Sequence, residues 1–396
     1  MATGQQRDRR LALAIAGIAL ALIAVRLVLL QGVVSVVRIE GGSMAPSLLG
    51  EHVVLACPHC DHRWNCDLAP WQDQPRAACP LCGTAVDAAQ ELSRNQGTPV
   101  IIDRAKYLLE SPQRFDVVAF RTADQTLAVK RVVALPGEAW EIRRGELYVD
   151  DKLVRKNHSQ FRETAVLVSV GNRHWKRRVE GDTAWLVYEP TANYPARSAK
   201  PAPLRDIDSY NPATVRELNP VVDVLAECEL EGDSPAVNLR VHDGFNWFTL
   251  RFDNVAGEVA LLRGEQELKR QPIPRVYGRF LRLGWGLCDR QIWFLVNGDL
   301  VLEHALEQTT LTSKPSHRPI ALQATDARPH ALRPIALYRD IYYLDERGLG
   351  RDWKPANALA ADEFAVLGDN PPLSLDTRHA EPVKRSQILG EVFQRR

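Results

Sequence analysis

The 396-residue chain has no excess of charge of either sign. Its 50 Lys and Arg stand against 49 Asp and Glu, a formal net charge of +1. With no basic run either, it has no electrostatic hold on a polyanion, and nucleic-acid binding is set aside. No periodic repeat is evident, so repeat arrays are set aside as well. The ten His lie in no metal-binding motif and form no obvious pair with a candidate serine. The seven Cys are odd in number, so they cannot all be paired. At 45% hydrophobic and 25% charged residues the composition is globular, and the length suits two or three domains.

Long apolar runs are scarce too, with one exception. After MATGQQRDRR comes LALAIAGIALALIAVRLVLL, residues 11–30. Twenty residues of helix rise about 30 Å, the thickness of a bilayer's hydrocarbon core. The one charge, Arg26, falls near the far end, where its stem snorkels to the interface. Arg7, Arg9 and Arg10 precede the run, which places the N-terminus in the cytoplasm and the chain after about residue 31 outside it. A cleaved secretory signal shares the basic start, but the apolar stretch resumes after Arg26 and no small-x-small site closes it. A buried core helix would need a solvent face that this segment lacks. The expectation is a single-pass anchor at 11–30 behind a cytoplasmic tail at 1–10.

The rest reads as mainly β: HVVLA, PVIID, DVVAF, LAVKRVVAL, AWEIRR and ELYVDD are short Val/Ile-rich runs punctuated by Gly, Pro or Asp. Two stretches interrupt them. The first, 57–97, separates core segments 31–56 and 98–159. The second, 160–350, contains many short strands with regular turns, which suggests a β-sandwich, and the core resumes at 351–396. In the first interruption, CPHC (57–60) and CPLCG (79–83) have zinc-ribbon spacing. Thiolates of Cys57, Cys60, Cys79 and Cys82 would close a structural tetrahedral Zn²⁺ site, with His59 and His62 exposed on the knuckles. Outside the cytoplasm two disulfides are the alternative. Cys66, Cys228 and Cys288 remain as buried or unpaired thiols.

Three stretches carry chemistry. GGSMAPSLLG places Ser43 in a Gly/Pro turn just beyond the apolar run. AVKRVVALPGE places Lys130 inside an apolar strand, where burial lowers an ammonium pKa. A fall from ~10.4 to ~7–8, roughly 4 kcal/mol, would make it a general base near neutrality. On the plainer reading, Lys130 and Arg131 mark a strand edge with one of them solvated. EFAVLGDNPPLSLDTRHA offers Ser374 to orient the amine, and Asp376 and Arg378 to pair across the loop.

Together these stretches resemble the type I signal peptidases, the membrane-anchored Ser–Lys proteases. The likeness extends through RFDVVAF (114–120), GELYVDDKLV (145–154) and ILGEVF (388–393), in the family's order. It implies Ser43 as nucleophile, Lys130 as general base and Ser374 as the hydroxyl that orients the lysine. Asp369, Asp376 and Arg378 would brace the loop. Gly41, Gly42, Met44 and Pro46 would shape the turn, with Met44 lining a small S1 pocket. Catalysis would need no cofactor. The chain would sit in a bacterial inner membrane with its catalytic domain on the outer side, cutting signal-peptide-bearing preproteins, with the protein export machinery as a further partner. Gly41 stands where many members have a serine that helps bind the oxyanion, and Pro371 stands where an arginine usually follows the Asn. Residues 287–344 resemble the jelly rolls of concanavalin-like and laminin-G-like domains, and Trp185, Trp247, Trp285 and Trp293 are either core or a sugar-binding face. An inactive paralogue that binds a ligand through this sandwich is the alternative function.

Overall fold

A computed structural model describes residues 13–26, 33–67, 76–87, 93–190, 202–207, 210–211, 217–231, 236–307, 314–324, 334–344 and 352–394. The tail at 1–10 and both ends of the 11–30 segment lie outside them. Residues 13–26 form a helix exposed along its length, about 21 Å long at 1.5 Å per residue. Among the described residues no helix is long and apolar enough to cross a membrane.

The protein is mainly β. The central sheet has seven strands in the order Val34–Arg38, Pro99–Asp103, Ile388–Phe393, Val117–Arg121, Leu127–Ala134, Glu363–Leu367 and Val383–Lys384. The last chain segment therefore threads back between strands from the first half. Residues alternate between faces along a strand, and here both faces are covered. Val132, Phe364 and Val366 pack with Val118, Phe120 and Ile388. Val133, Ala365 and Leu367 pack with Trp140, Ile142 and Tyr343. A third cluster gathers Ile39, Met44, Val100, Ile102 and Val392 beneath the turn that follows the first strand.

The two interruptions form units of their own. The strand His52–Ala56, expected with the central core, pairs instead with Arg63–Asp67 and Ser93–Asn95. It belongs to the cysteine-bearing unit because Val53 and Leu55 bury against Trp64, Cys66 and Val86 there. The second interruption is two antiparallel sheets of six and seven strands that share one core. Trp185, Trp285 and Trp293 are buried, and only Trp247 of the four tryptophans is part-exposed, edge-on to His242.

Candidate active site

Strand register sets the site. Lys130 pairs with Val118, and its neighbour Arg131 with both Val117 and Leu367. After Leu367 the chain leaves the sheet, so Gly368 and the loop that follows spring out level with Lys130. Adjacent strand residues point to opposite faces, and with both faces covered Lys130 (6% exposed) and Arg131 (1%) are both buried. Neither is a solvated strand edge.

Ser43 sits half-buried in a turn closed by Ala45 N–H to Gly42 O (3.1 Å) and Leu48 N–H to Met44 O (2.8 Å). Met44 is wholly buried in the cluster beneath this turn, so it forms the turn's floor and not the wall of an open pocket. Pro46 is exposed on the rim. Lys130 Nζ donates to Ser43 Oγ at 2.5 Å. Burial pushes the ammonium pKa down. The Asp376 and Asp369 carboxylates pull it up and the Arg378 guanidinium opposes them, and the net direction is down. The structure thus brings together a hydroxyl and a buried amine biased toward its neutral form.

The loop at 368–378 closes over this pair. Asp369 takes two hydrogen bonds from Arg131, at 2.9 and 2.8 Å. Asp376 takes two from the Arg378 guanidinium, also at 2.9 and 2.8 Å, one from the Arg378 backbone N–H at 3.2 Å and one from Gly368 N–H at 3.1 Å. Burial alone would raise the Asp376 pKa, but the Arg378 pair holds it below the ordinary carboxylate value. Ser374 is buried beside Asp376, whose charge it helps stabilise, but its hydroxyl makes no hydrogen bond of ordinary geometry. A Cβ on Gly368 would stand 2.3 Å from Ser374 Oγ and 2.4 Å from the Ser43 carbonyl oxygen. Only glycine lets the loop and the turn approach so closely. Gly41 differs: nothing lies within 4 Å of where its Cβ would be, so a side chain there meets open space. Pro371 opens a short 3₁₀ turn, Pro371–Leu373, and its carbonyl accepts from Arg378 at 3.2 Å.

The four cysteines also converge. Two knuckles of the same build present them: Asp61 N–H bonds to Cys57 O (2.9 Å) and Gly83 N–H to Cys79 O (2.8 Å). Cys57 and Cys82 sulfurs lie 3.3 Å apart and Cys60 and Cys79 sulfurs 3.5 Å apart, and all four are free thiols. A tetrahedron with ~2.3 Å Zn–S bonds has edges of about 3.8 Å, so the donor set fits zinc after a small expansion. His59 is exposed, whereas His62 is part-buried and stacks on Trp64. Cys66, Cys228 and Cys288 are buried and form no disulfide.

Comparison with known proteins bears on the same segments. The pattern of the family described as "Signal peptidase, peptidase S26" matches residues 87–187, which include Lys130 but neither Ser43 nor Ser374. Over 59 residues the chain is 32% identical to "Signal peptidase I V" of Bacillus subtilis (strain 168), covering 15% of this chain and 35% of that protein. Over 66 residues it is 30% identical to "Probable signal peptidase I-2" of Synechocystis, covering 15% and 30%. These findings support the signal peptidase family. The matched part spans about a third of the length of those relatives. Solved structures resembling part of the chain include carbohydrate-binding module CBM66 from Bacillus subtilis (TM-score 0.21, 13% identity, 31% of this chain and 73% of that one). Another is the CBM40 of a Ruminococcus gnavus IT-sialidase (TM-score 0.22, 20% identity, 31% and 78%). Scores this low establish no shared fold.

Proposed function

We propose that the protein is a membrane-anchored serine endopeptidase that removes N-terminal signal peptides from exported preproteins. The observation that carries this reading is the 2.5 Å contact between a half-buried serine and a buried lysine biased toward its neutral form. The neutral Lys130 amine takes the Ser43 proton as Oγ attacks the scissile carbonyl, then returns it to the leaving amine. Water, deprotonated by the same lysine, releases the acyl-enzyme. Ser374, buried on the same loop with its hydroxyl uncommitted, would turn that hydroxyl to the amine to orient it, and Asp369, Asp376 and Arg378 hold the loop that carries it. With glycine at 41, the tetrahedral oxyanion relies on backbone N–H groups. The 11–30 segment holds the site at the outer surface of a bacterial inner membrane, where preproteins leave the export machinery.

The test is cleavage of a labelled preprotein by detergent-solubilised protein recovered from the membrane fraction, beside Ser43→Ala. Cutting after an Ala-x-Ala site by the parent alone is expected. A parent as inert as Ser43→Ala across pH 7 to 9, with phospholipid present, would sink the proposal.

In the cysteine unit, Cys57, Cys60, Cys79 and Cys82 would hold a structural Zn²⁺, four ligands leaving no position for reactive water. About one zinc per chain is expected by elemental analysis. Cys79→Ser should lose it, along with the protease resistance of the strands His52–Ala56 and Arg63–Asp67. Equal metal content in parent and variant would refute the site.

A further inference from the structure

The sandwich unit reaches the nucleophile turn through two residues that the motifs did not single out. Arg339, buried on the strand Ala336–Arg339, donates to the carbonyls of Asp206 (3.4 Å) and Ile207 (2.8 Å) and holds that stretch against the sandwich. The Tyr210 carbonyl accepts from Asp67 N–H at 2.9 Å, tying Tyr210 to the cysteine unit. The next residue, Asn211, is buried and exchanges two amide hydrogen bonds with buried Asn370, at 2.7 and 2.8 Å. Asn370 in turn donates from its side chain to Gly42 O at 2.8 Å and from its backbone to Ser43 O at 3.0 Å. The Tyr210 ring packs on the same turn: a Cβ on Gly42 would stand 2.8 Å from Tyr210 Cε1.

We infer that Tyr210 and Asn211 are built into the catalytic apparatus, with Asn211 as a positioning residue for the nucleophile. Asn370 presents a carbonyl and an amide group to a dry interface, and only a partner with both an acceptor and a donor satisfies both. Asn211 is that partner. With its orientation fixed, Asn370 grips the Gly42 and Ser43 carbonyls, one on either side of the Ser43 Cα, which sets the direction in which Ser43 Oγ faces Lys130. The insertion is therefore a clamp on the site as well as an appendage, and a peptidase core stripped of it would lose the brace on its nucleophile.

The kinetic consequence rests on the Ser–Lys reading above; the clamp itself does not. Both are tested on the full chain in detergent, comparing parent, Asn211→Ala and the isosteric Asn211→Asp, which still accepts from Asn370 but no longer donates. In Asn211→Ala, hydrogen exchange at the Ala45 and Leu48 amides should quicken roughly tenfold, as expected for the loss of about one hydrogen bond's worth of restraint. Strands of the sandwich should stay unchanged. Preprotein cleavage should lose roughly tenfold or more in kcat with KM within about twofold, since the defect is in orientation and not in binding. Asn211→Asp sets a buried carboxylate oxygen against the Asn370 carbonyl oxygen and should be at least as impaired as Asn211→Ala. Unchanged exchange in the turn of both variants, or a loss confined to KM, overturns the clamp. A parent that cuts nothing overturns the Ser–Lys reading instead, and the exchange result still decides the clamp.

Discussion

Lys130→Arg is expected to leave preprotein cleavage at least about 10⁴-fold below the parent in kcat, although it keeps the positive charge. A guanidinium stays protonated at any working pH and cannot take the Ser43 proton. Lys130→Ala should be as inert, so the pair separates loss of a base from loss of a charge. If Lys130→Arg retains substantial activity, the lysine acts as a fixed cation and the Ser–Lys mechanism fails. In the parent the base works only when deprotonated, so kcat/KM should rise with pH through the lysine's pKa, which burial sets below its ordinary value. Arg378→Gln removes a cation that pushes this value down and releases Asp376, which pulls it up. Its rising limb should therefore move to higher pH. A limb that stays in place, or moves to lower pH, would mean that another group titrates.

The stretches that meet at this site were legible because each breaks its local pattern. Ser43 follows an apolar run in a Gly/Pro turn, Lys130 interrupts an apolar strand, and Ser374, Asp376 and Arg378 crowd one short loop. Their partners were not legible. Arg131 and Asp369 are 238 residues apart in sequence, and Asn211 and Asn370 are 159 apart. Nothing local marks such residues, because their burial depends on which elements cover the sheet. Alternation shows that a strand has two faces but not whether both are covered, which is why one of Lys130 and Arg131 reads as solvated and neither is. His52–Ala56 fails for a related reason. Its Val-rich pattern suits any half-buried strand, and its partners are chosen by Trp64 and Cys66 in the neighbouring unit. Met44 reads as a pocket residue from its place beside the nucleophile, yet its side chain is the apolar plug under the turn.

Arg131→Met should be the most destabilising single change in the central sheet. Arg131 and Asp369 side chains are 1% and 0% exposed, and they are joined by two hydrogen bonds. The arginine also donates to Phe115 O at 2.8 Å, so its loss strands a carbonyl as well as a carboxylate. Removing one partner of a buried pair costs about 3–5 kcal/mol, because the remaining charge stays dry and unpaired. That is a large share of the 5–15 kcal/mol typical of a folded domain. The double variant Arg131→Met/Asp369→Leu removes both charges and should recover most of the loss, since the attraction it forgoes is offset by desolvation it no longer suffers. Urea unfolding of parent, single and double variants measures this directly. A double variant as unstable as Arg131→Met would assign the cost to packing and the Phe115 carbonyl instead of the stranded carboxylate. Activity should not recover with stability in the double variant: Asp369 begins the loop that carries Asn370 and Ser374, and a leucine there accepts no hydrogen bond to hold that loop's first residue at the level of Lys130.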